Sequence, residues 1–440
     1  YESIAVSAAG ESYVCGNSQS YPSFTATLAK YDEYGTKQWI RMLGNGSGTS
    51  TNFTAVTIDS NGDIVCLGHA NNTGSGSSND FILVKYNSSG TLVFQKYYYG
   101  TSGTASYAAW GDAIFADSVN NYYLLGYSNN SGQGSYDAWF AKVNSTGVVQ
   151  WQKTLGQSGF DGMSRGGICL DGSHNDIFFS IQTNSPPSGH GGQDVAFCRY
   201  SNSGTVEAIR LIGDAATNRP SNTKFYNDKI YISLITPSDA GGNIGPTIVK
   251  MSNDTNPAIE WQQKYSDGAD QSLQTFQIDG LTPHTDSNIY ISGRCQSGLG
   301  GYSYNSIYWA KLNSSGDVQF ARRLRFAGTS PAVNYDNEGW DHKILGDNIY
   351  ITGYGMFDAG GADTSHLMYR GLVMKLPLDG SLTGTYGGWT YEAMTITNSS
   401  SSLSNINNPS LSDATASHST GTSTIPAITN NSTFETQYIK

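Results

Sequence analysis

AVTIDSNGDIVCLG, residues 55–68, is followed after a polar loop by DFILVKYNSSGTLVFQKYYYG, residues 80–100. Each piece is a pair of strand-length runs around a tight turn. The turns, DSNGD at 59–63 and NSSGT at 87–91, hold the Asn, Ser and Gly that hairpins need for positive φ or side-chain-to-backbone bonds. In FILVKY, Phe81 and Leu83 share one face and Ile82 and Val84 the other. A strand apolar on both faces belongs to a sheet covered on both sides.

The same phrase recurs on either side. Upstream it reads IAVSAAGESYVCG (4–16) and ATLAKYDEYGTKQWIRMLG (26–44); downstream, AIFADSVNNYYLLGYS (113–128) and DAWFAKVNSTGVVQWQKTLG (137–156). Closing landmarks fall at Gly44, Gly100, Gly156, Gly213, Ser266, Gly328 and Gly387. A basic residue before the second turn falls at Lys30, Lys85, Lys142, Arg199, Lys250, Lys311 and Lys375. Two independent landmarks give the same seven copies, and a fixed period must be read before anything else. Seven four-strand units with two covered faces predict an all-β, seven-bladed β-propeller of four-stranded antiparallel blades, since radial stacking covers faces and protects edges. The repeats are 1–44, 45–100, 101–156, 157–213, 214–266, 267–328 and 329–388. Helix is expected in fewer than about a tenth of residues. The first and last blades are expected to meet, by face contact alone or with Trp389–Thr397 as an outer strand.

Residues 389–440 differ. From Asn398 onward they are rich in Ser, Thr and Asn with apolar residues spaced singly, and alone could not bury enough surface to fold. The reading is an extended tail held by the propeller flank or by another subunit.

Only 13% of residues are charged, while Gly (52) and Tyr (29) are abundant, which suits turns and strands. The formal net charge of −11 and the lack of a basic stripe argue against nucleic acid as a partner. Arg322, Arg323 and Arg325 read as an edge strand or ion-pair site. No apolar run approaches the roughly 18 residues of a membrane span. No signal peptide is evident, and a start at Tyr1 within a repeat phrase suits a processed or partial chain. Cys15, Cys66, Cys169, Cys198 and Cys295 sit in strand-like contexts without metal spacing and read as buried free thiols.

Candidate chemistry is sparse. Gly162–Gly166 matches G-x-S-x-G but no helix follows, so the strand-to-helix elbow is missing. Asp59, Asn61 and Asp63 resemble the start of a calcium loop without its distal Glu and read as a hairpin turn. The seven histidines are dispersed. NSTGVVQW and NSSGDVQF resemble the second half of the sialidase Asp-box without its leading Ser-x-Asp, a sharing of hairpin geometry. Several N-x-S/T sequons, including those at Asn45, Asn52, Asn71, Asn87, Asn129, Asn144, Asn253, Asn313, Asn398 and Asn431, follow from composition. No metal, cofactor or catalytic residue is assigned.

The phrases KYDEYGTKQW (30–39), KVNSTGVVQW (142–151), KLNSSGDVQF (311–320), IDSNGDIVCLG (58–68) and DHKILGDNIYITG (341–353) resemble β-propeller repeats in virion proteins of marine tailed phages, particularly those of cyanobacteria. They also resemble repeats in secreted proteins of aquatic bacteria. The likeness covers nearly the whole chain; copies four, five and seven drift. It implies a non-enzymatic structural or receptor-binding protein on the virion exterior, as a tail fibre, appendage or capsid decoration. The partners implied are other virion subunits, through the tail, and a cell-surface glycan. A secreted bacterial surface or matrix adhesin is the alternative, and a propeller enzyme acting on carbohydrate a lesser one.

In an up-down blade the long second-to-third loops and the blade connections share one face of the disk, where a rigid scaffold would carry binding residues. Aromatics interrupt these polar segments: Tyr107, Trp110, Phe160, Tyr302, Tyr304, Tyr335, Trp340 and Phe357. Rings stack on sugar faces while Asn, Ser and backbone groups bond hydroxyls, so these eight are the candidate binding residues. Packing between blades is the competing reading, above all for the two Trp.

Overall fold

A computed structural model describes residues 1–20, 23–44, 50–71, 79–99, 110–129, 135–162, 167–173, 175–184, 192–236, 245–266, 276–297, 304–326, 337–358, 367–386, 389–401, 403–407, 412–415, 419–422 and 427–428. No helix occurs among them. Blade 1 is β1 (Ser3–Val6), β2 (Ser12–Ser20), β3 (Ser23–Tyr31) and β4 (Lys37–Leu43). Blade 2 is β5 (Thr51–Ile58), β6 (Ile64–Ala70), β7 (Asp80–Tyr86) and β8 (Leu92–Tyr99). Blade 3 is β9 (Trp110–Ala116), β10 (Tyr122–Ser128), β11 (Asp137–Val143) and β12 (Val149–Gly156). In blade 4 the inner strand is split into β13 (Asp161–Gly162) and β14 (Ile168–Leu170), both on β15 (Asp176–Thr183), with β16 (Asp194–Ser201) and β17 (Val206–Gly213) outside. Blade 5 is β18 (Arg219–Tyr226), β19 (Lys229–Thr236), β20 (Gly245–Ser252) and β21 (Ile259–Ser266). Blade 6 is β22 (Gln277–Pro283), β23 (Ile289–Ser297), β24 (Tyr304–Leu312) and β25 (Val318–Phe326). Blade 7 is β26 (Asn337–Leu345), β27 (Asn348–Asp358) and β28 (Leu367–Pro377).

Seven buried clusters, one between each pair of neighbouring blades, establish the closed ring. The last joins Ile4, Val14 and Met42 of blade 1 to Tyr350 of blade 7. Closure is by face contact: Asp341 of blade 7 accepts from Ser3 Oγ (3.0 Å) and from the Ile4 backbone N–H (3.2 Å) of blade 1.

The repeat phrase now has physical meanings. Where Asp or Asn opens a turn, its side chain accepts from the backbone N–H groups two and four residues on, as Asp32, Asn87, Asn144 and Asn313 do. The basic residue before the turn lies over an aromatic ring of the second strand, Lys30 over Tyr13, Lys142 over Tyr123 and Lys311 over Tyr290. The aromatic of the fourth strand reaches the next blade: Trp39 Nε1 donates to Ser88 O and Trp151 Nε1 to Asn202 O. The glycine ending the second strand sits opposite a β-bulge in the inner strand. A Cβ on Gly68, Gly293 or Gly353 would lie 1.8–2.0 Å from a carbonyl oxygen of that strand, so no side chain fits there.

Two features differ from the simple seven-by-four scheme. The seventh blade has three strands among the described residues, because after Gly380 the chain leaves it for blade 6 as the hairpin β29 (Gly384–Tyr386) and β30 (Trp389–Met394), β30 pairing with β25. The segment read as a tail then encircles the disk backwards. β31 (Thr397–Ser400) pairs with β21, β32 (Ser404–Asn407) with β17, β33 (Ser412–Thr415) with β12, β34 (Ser419–Thr422) with β8 and β35 (Ala427–Ile428) with β4. Blades 6 to 1 each gain an outer strand. A chain too polar for its own core is held by satisfying the open backbone edges of the fourth strands.

Candidate functional site

The inner strands surround an axial cavity of about 510 Å³ to which all seven blades contribute. It is built by the bulges. Extra residues in the inner strands at Thr54, Ser221, Asp279 and Trp340 break the pairing register, and all four line the cavity.

Its wall divides chemically. Toward the blade connections, near the starts of the inner strands, stand Glu2, Asn52, Ser221 and Trp340, together with Tyr127 from the end of β10. Asn52 Nδ2 donates to Glu2 Oε1 at 3.0 Å. Asn222 donates through Nδ2 to Asp279 O at 3.2 Å, and its buried Oδ1 has no hydrogen-bond partner among the described residues. Deeper lie Lys224, Asp341 and Lys343. Burial lowers the Lys224 ammonium, the Lys343 charge adds to this, and Asp341 opposes it. Burial would raise the Asp341 carboxyl, but Lys343 and Lys224 outweigh it and hold it below its ordinary value. With Lys343 Nζ at 3.1 Å and two donors from blade 1, Asp341 is a closure residue.

Beside the Tyr127 edge of the cavity is an aromatic trio. Tyr127, Tyr136 and Phe160 lie with ring centroids 5.8 Å apart in each pairing. Phe160 is tied in by a bridge with Tyr136 and accepts at its carbonyl from the Asn184 N–H at 2.9 Å. The structure thus brings Phe160 beside the cavity and puts Trp340 in its wall, 6.1 Å from the Tyr354 ring. Trp110, Tyr304 and Phe357 have described backbone in β9, β24 and β27, but their side chains lie outside the described set. Tyr107, Tyr302 and Tyr335 lie outside the described residues altogether, as do most long loops and connections. Tyr127, Tyr136 and Asn222 were not singled out from sequence, and Asn52 only as a sequon; Tyr127 is hidden because YLLGYS reads as ordinary core alternation. The signal that could have found much of the cavity wall is the glycine near the end of the second strand in blades 2, 3, 6 and 7 (Gly68, Gly126, Gly293 and Gly353), each opposite a bulge.

Other candidates resolve into structure. Asp59 accepts from the Asn61 and Asp63 N–H groups, and Lys85 Nζ sits 2.8 Å from Asp59 and 2.9 Å from Asp63, so a cation already occupies that turn. Arg323 and Arg325 both pair with Glu392 of β30, and Arg322 donates to Gly380 O. All five cysteines are buried and free. Met163–Gly166 of the G-x-S-x-G match lie outside the described residues. Among the described residues no cluster of His, Cys, Asp and Glu could hold a metal ion.

No family model matches the chain, and no curated protein does. The resemblance to phage propellers therefore rests on the repeat phrases alone. Among solved structures the chain is similar to an exo-1,5-α-L-arabinanase from a bovine ruminal metagenomic library, at 12% identity over 59% of this chain and 95% of that one, with a TM-score of 0.30. It is also similar to the NanB sialidase of Streptococcus pneumoniae, at 12% identity over 86% of this chain and 68% of that one, with a TM-score of 0.42. The expectation of a non-enzymatic protein is corrected here, since the solved structures to which the chain is similar are an arabinanase and a sialidase. At this identity the likeness is one of fold and carries no activity across.

Proposed function

We propose that the propeller binds carbohydrate at the loop-side rim of its axial cavity, and that it is displayed on the exterior of a phage particle. The observation that carries the first part is the pairing of aromatic and neutral polar groups at one rim. Trp340 and Tyr127 offer ring faces to a sugar, while Asn52, Ser221 and Asn222 offer hydrogen bonds to hydroxyls. The second part is supported by the repeat phrases. By sequence, Tyr107, Tyr302, Tyr304 and Tyr335 fall in the blade connections and long loops, and the proposal extends to them.

The test is glycan binding and host adsorption by Trp340→Ala, Tyr127→Ala and the pair Tyr302→Ala with Tyr304→Ala, each measured beside thermal stability. Binding lost in variants that melt with the wild type supports the rim. Binding intact in all of them, with the protein folded, refutes it. Released sugar in the same incubations would place turnover in the cavity.

A further inference from the structure

We infer that Lys142 and Asn202 join in an isopeptide bond that staples blade 3 to blade 4. The two reacting side chains already touch across the blade interface.

Lys142 holds the place of the repeat cation in blade 3. In five of the other copies that cation pairs with a carboxylate: Lys30 with Glu11, Lys85 with Asp59 and Asp63, Arg199 with Asp176 and Glu207, Lys250 with Glu260, and Lys311 with Asp286. Lys142 meets a carboxamide instead, and the reason lies in the first turn of its blade. Blade 2 reads DSNGD there and blade 3 reads DSVNN, so Asn121 stands where Asp63 stands. Asn121 Nδ2 donates to Asp117 Oδ2 at 2.8 Å, whereas the matching oxygen of Asp59 takes the lysine. Lys142 Nζ lies instead 2.5 Å from Asn202 Oδ1.

Asn202 is equally unusual in its own copy. It is the second residue of its turn, the place where blades 1 and 2 receive the preceding blade's lysine at a backbone carbonyl: Lys375 Nζ donates to Glu33 O and Lys30 Nζ to Ser88 O. In blade 4 the side chain of this residue brings a carboxamide to the amine. The backbone of Asn202 is fixed on both sides, its carbonyl accepting from Trp151 Nε1 at 2.9 Å and its N–H donating to Asn175 O at 2.6 Å. In blade 5 Asn253 receives Arg199 at its carbonyl, and a guanidinium stays charged and does not attack.

The surroundings suit acyl transfer. The Tyr123 ring lies under the lysine, its centroid 5.4 Å from Nζ, and its hydroxyl donates to Asn202 Oδ1 at 2.8 Å. Burial raises that hydroxyl, which stays protonated and can stabilise the negative charge developing on Oδ1. Burial also lowers the Lys142 ammonium, against the pull of Asp117, and so favours the free amine that must attack. Nζ adds to Cγ of Asn202. Asp117 Oδ2, 3.4 Å from the Tyr123 hydroxyl, takes up the amine's proton through it and returns it to the leaving nitrogen. The Cγ–Nδ2 bond breaks as the Nζ–Cγ bond forms. One amine and one carboxamide give one secondary amide and one ammonia, with no oxidant or cofactor consumed.

The experiment is intact-mass spectrometry of the denatured full chain, with tryptic mapping. The wild type is expected to fall short of its sequence mass by one ammonia, and the peptide holding Lys142 to be branched onto the one holding Asn202. Lys142→Arg and Asn202→Ser introduce residues that other copies carry at the same places, Arg199 and Ser88, so both should fold and show full sequence mass. Tyr123→Phe and Asp117→Asn, the latter keeping a turn-opening acceptor as Asn87 and Asn144 do, should slow ammonia loss from freshly folded protein roughly tenfold or more, with melting temperature measured alongside. Full sequence mass in the wild type overturns the inference. So does an ammonia loss that persists in Lys142→Arg, which would mark a succinimide at Asn202. Ammonia loss at the wild-type rate in folded Tyr123→Phe overturns the assigned chemistry.

Discussion

Replacing Gly353 with Ala tests the bulge that presents Trp340 to the cavity. An added Cβ would stand 1.9 Å from the carbonyl oxygen of Glu338 and 3.1 Å from Gly339 Cα. Ordinary contact begins near 3.4 Å, so the difference, about 1.5 Å, must come from backbone that is itself paired in β26 and β27. The obstacle is main chain and cannot swing aside as a side-chain tip would. Overpacking of this kind costs about 1–3 kcal/mol and more where the backbone is held. Here it is held through the Glu338–Arg294 ion pair and through Asp341 on blade 1. The expected loss is therefore at the upper end, about 3 kcal/mol, with glycan binding weakened because Trp340 moves. Gly172, whose added Cβ would meet nothing within 4 Å, is the control, and Gly172→Ala should stay within about 0.5 kcal/mol of wild type. Denaturant unfolding of the two variants decides. If Gly353→Ala unfolds with Gly172→Ala, the close approach does not constrain the fold and the argument for the bulge falls.

Burial pushes His342 from 6.5 down to about 3 and His69 down to about 4, so both are neutral in the fold. Each folded value lies below the unfolded one, so their stabilisation is complete above about pH 6.5 and is lost as pH falls toward the folded values, by about 1.4 kcal/mol per pH unit per proton. His342→Asn should flatten that slope in unfolding measured between pH 6.5 and 4; an unchanged slope would contradict the assignment. Lys85→Ala strands the buried Asp59 carboxylate and should cost about 3–5 kcal/mol in chemical denaturation; a loss under about 1 kcal/mol would mean the pair is solvated. Because Lys85 occupies the Asp59–Asp63 turn, millimolar calcium should leave the melting temperature unchanged, and a rise of several degrees would reopen that turn as a metal site. Glu392→Gln removes two half-exposed ion pairs with Arg323 and Arg325 and should cost no more than about 1 kcal/mol; a larger loss in thermal unfolding would show that β30 depends on them.

The blades were legible because each repeat states the same physics in the same places. Asp or Asn opens a turn, Gly follows at positive φ in the seats of Gly35, Gly62 and Gly147, a cation lies over a ring, and Gly ends the strand opposite a bulge. The site was legible only in part. Trp340 could be picked out as an aromatic, but the carboxylates and lysines deeper in the wall, Asp279, Asp341, Lys224 and Lys343, are scattered over three repeats. Their grouping depends on ring closure, which puts residues more than a hundred positions apart around one axis.

The belt was the hardest part to read, for a different physical reason. Its strands TNSS, SNIN, SDAT and STGT show no apolar alternation, because a fifth strand at the rim is held chiefly by backbone pairing to an edge that is already formed. Hydrophobic periodicity reports burial along a strand, whereas the buried Ile396 and Leu403 lie singly between belt strands. What remains is spacing: seven or eight residues per blade, enough for one short strand and a step to the next edge. Such a belt adds strand pairing to six blades at once, so loosening one blade from its neighbours requires unzipping a strand that also holds the next.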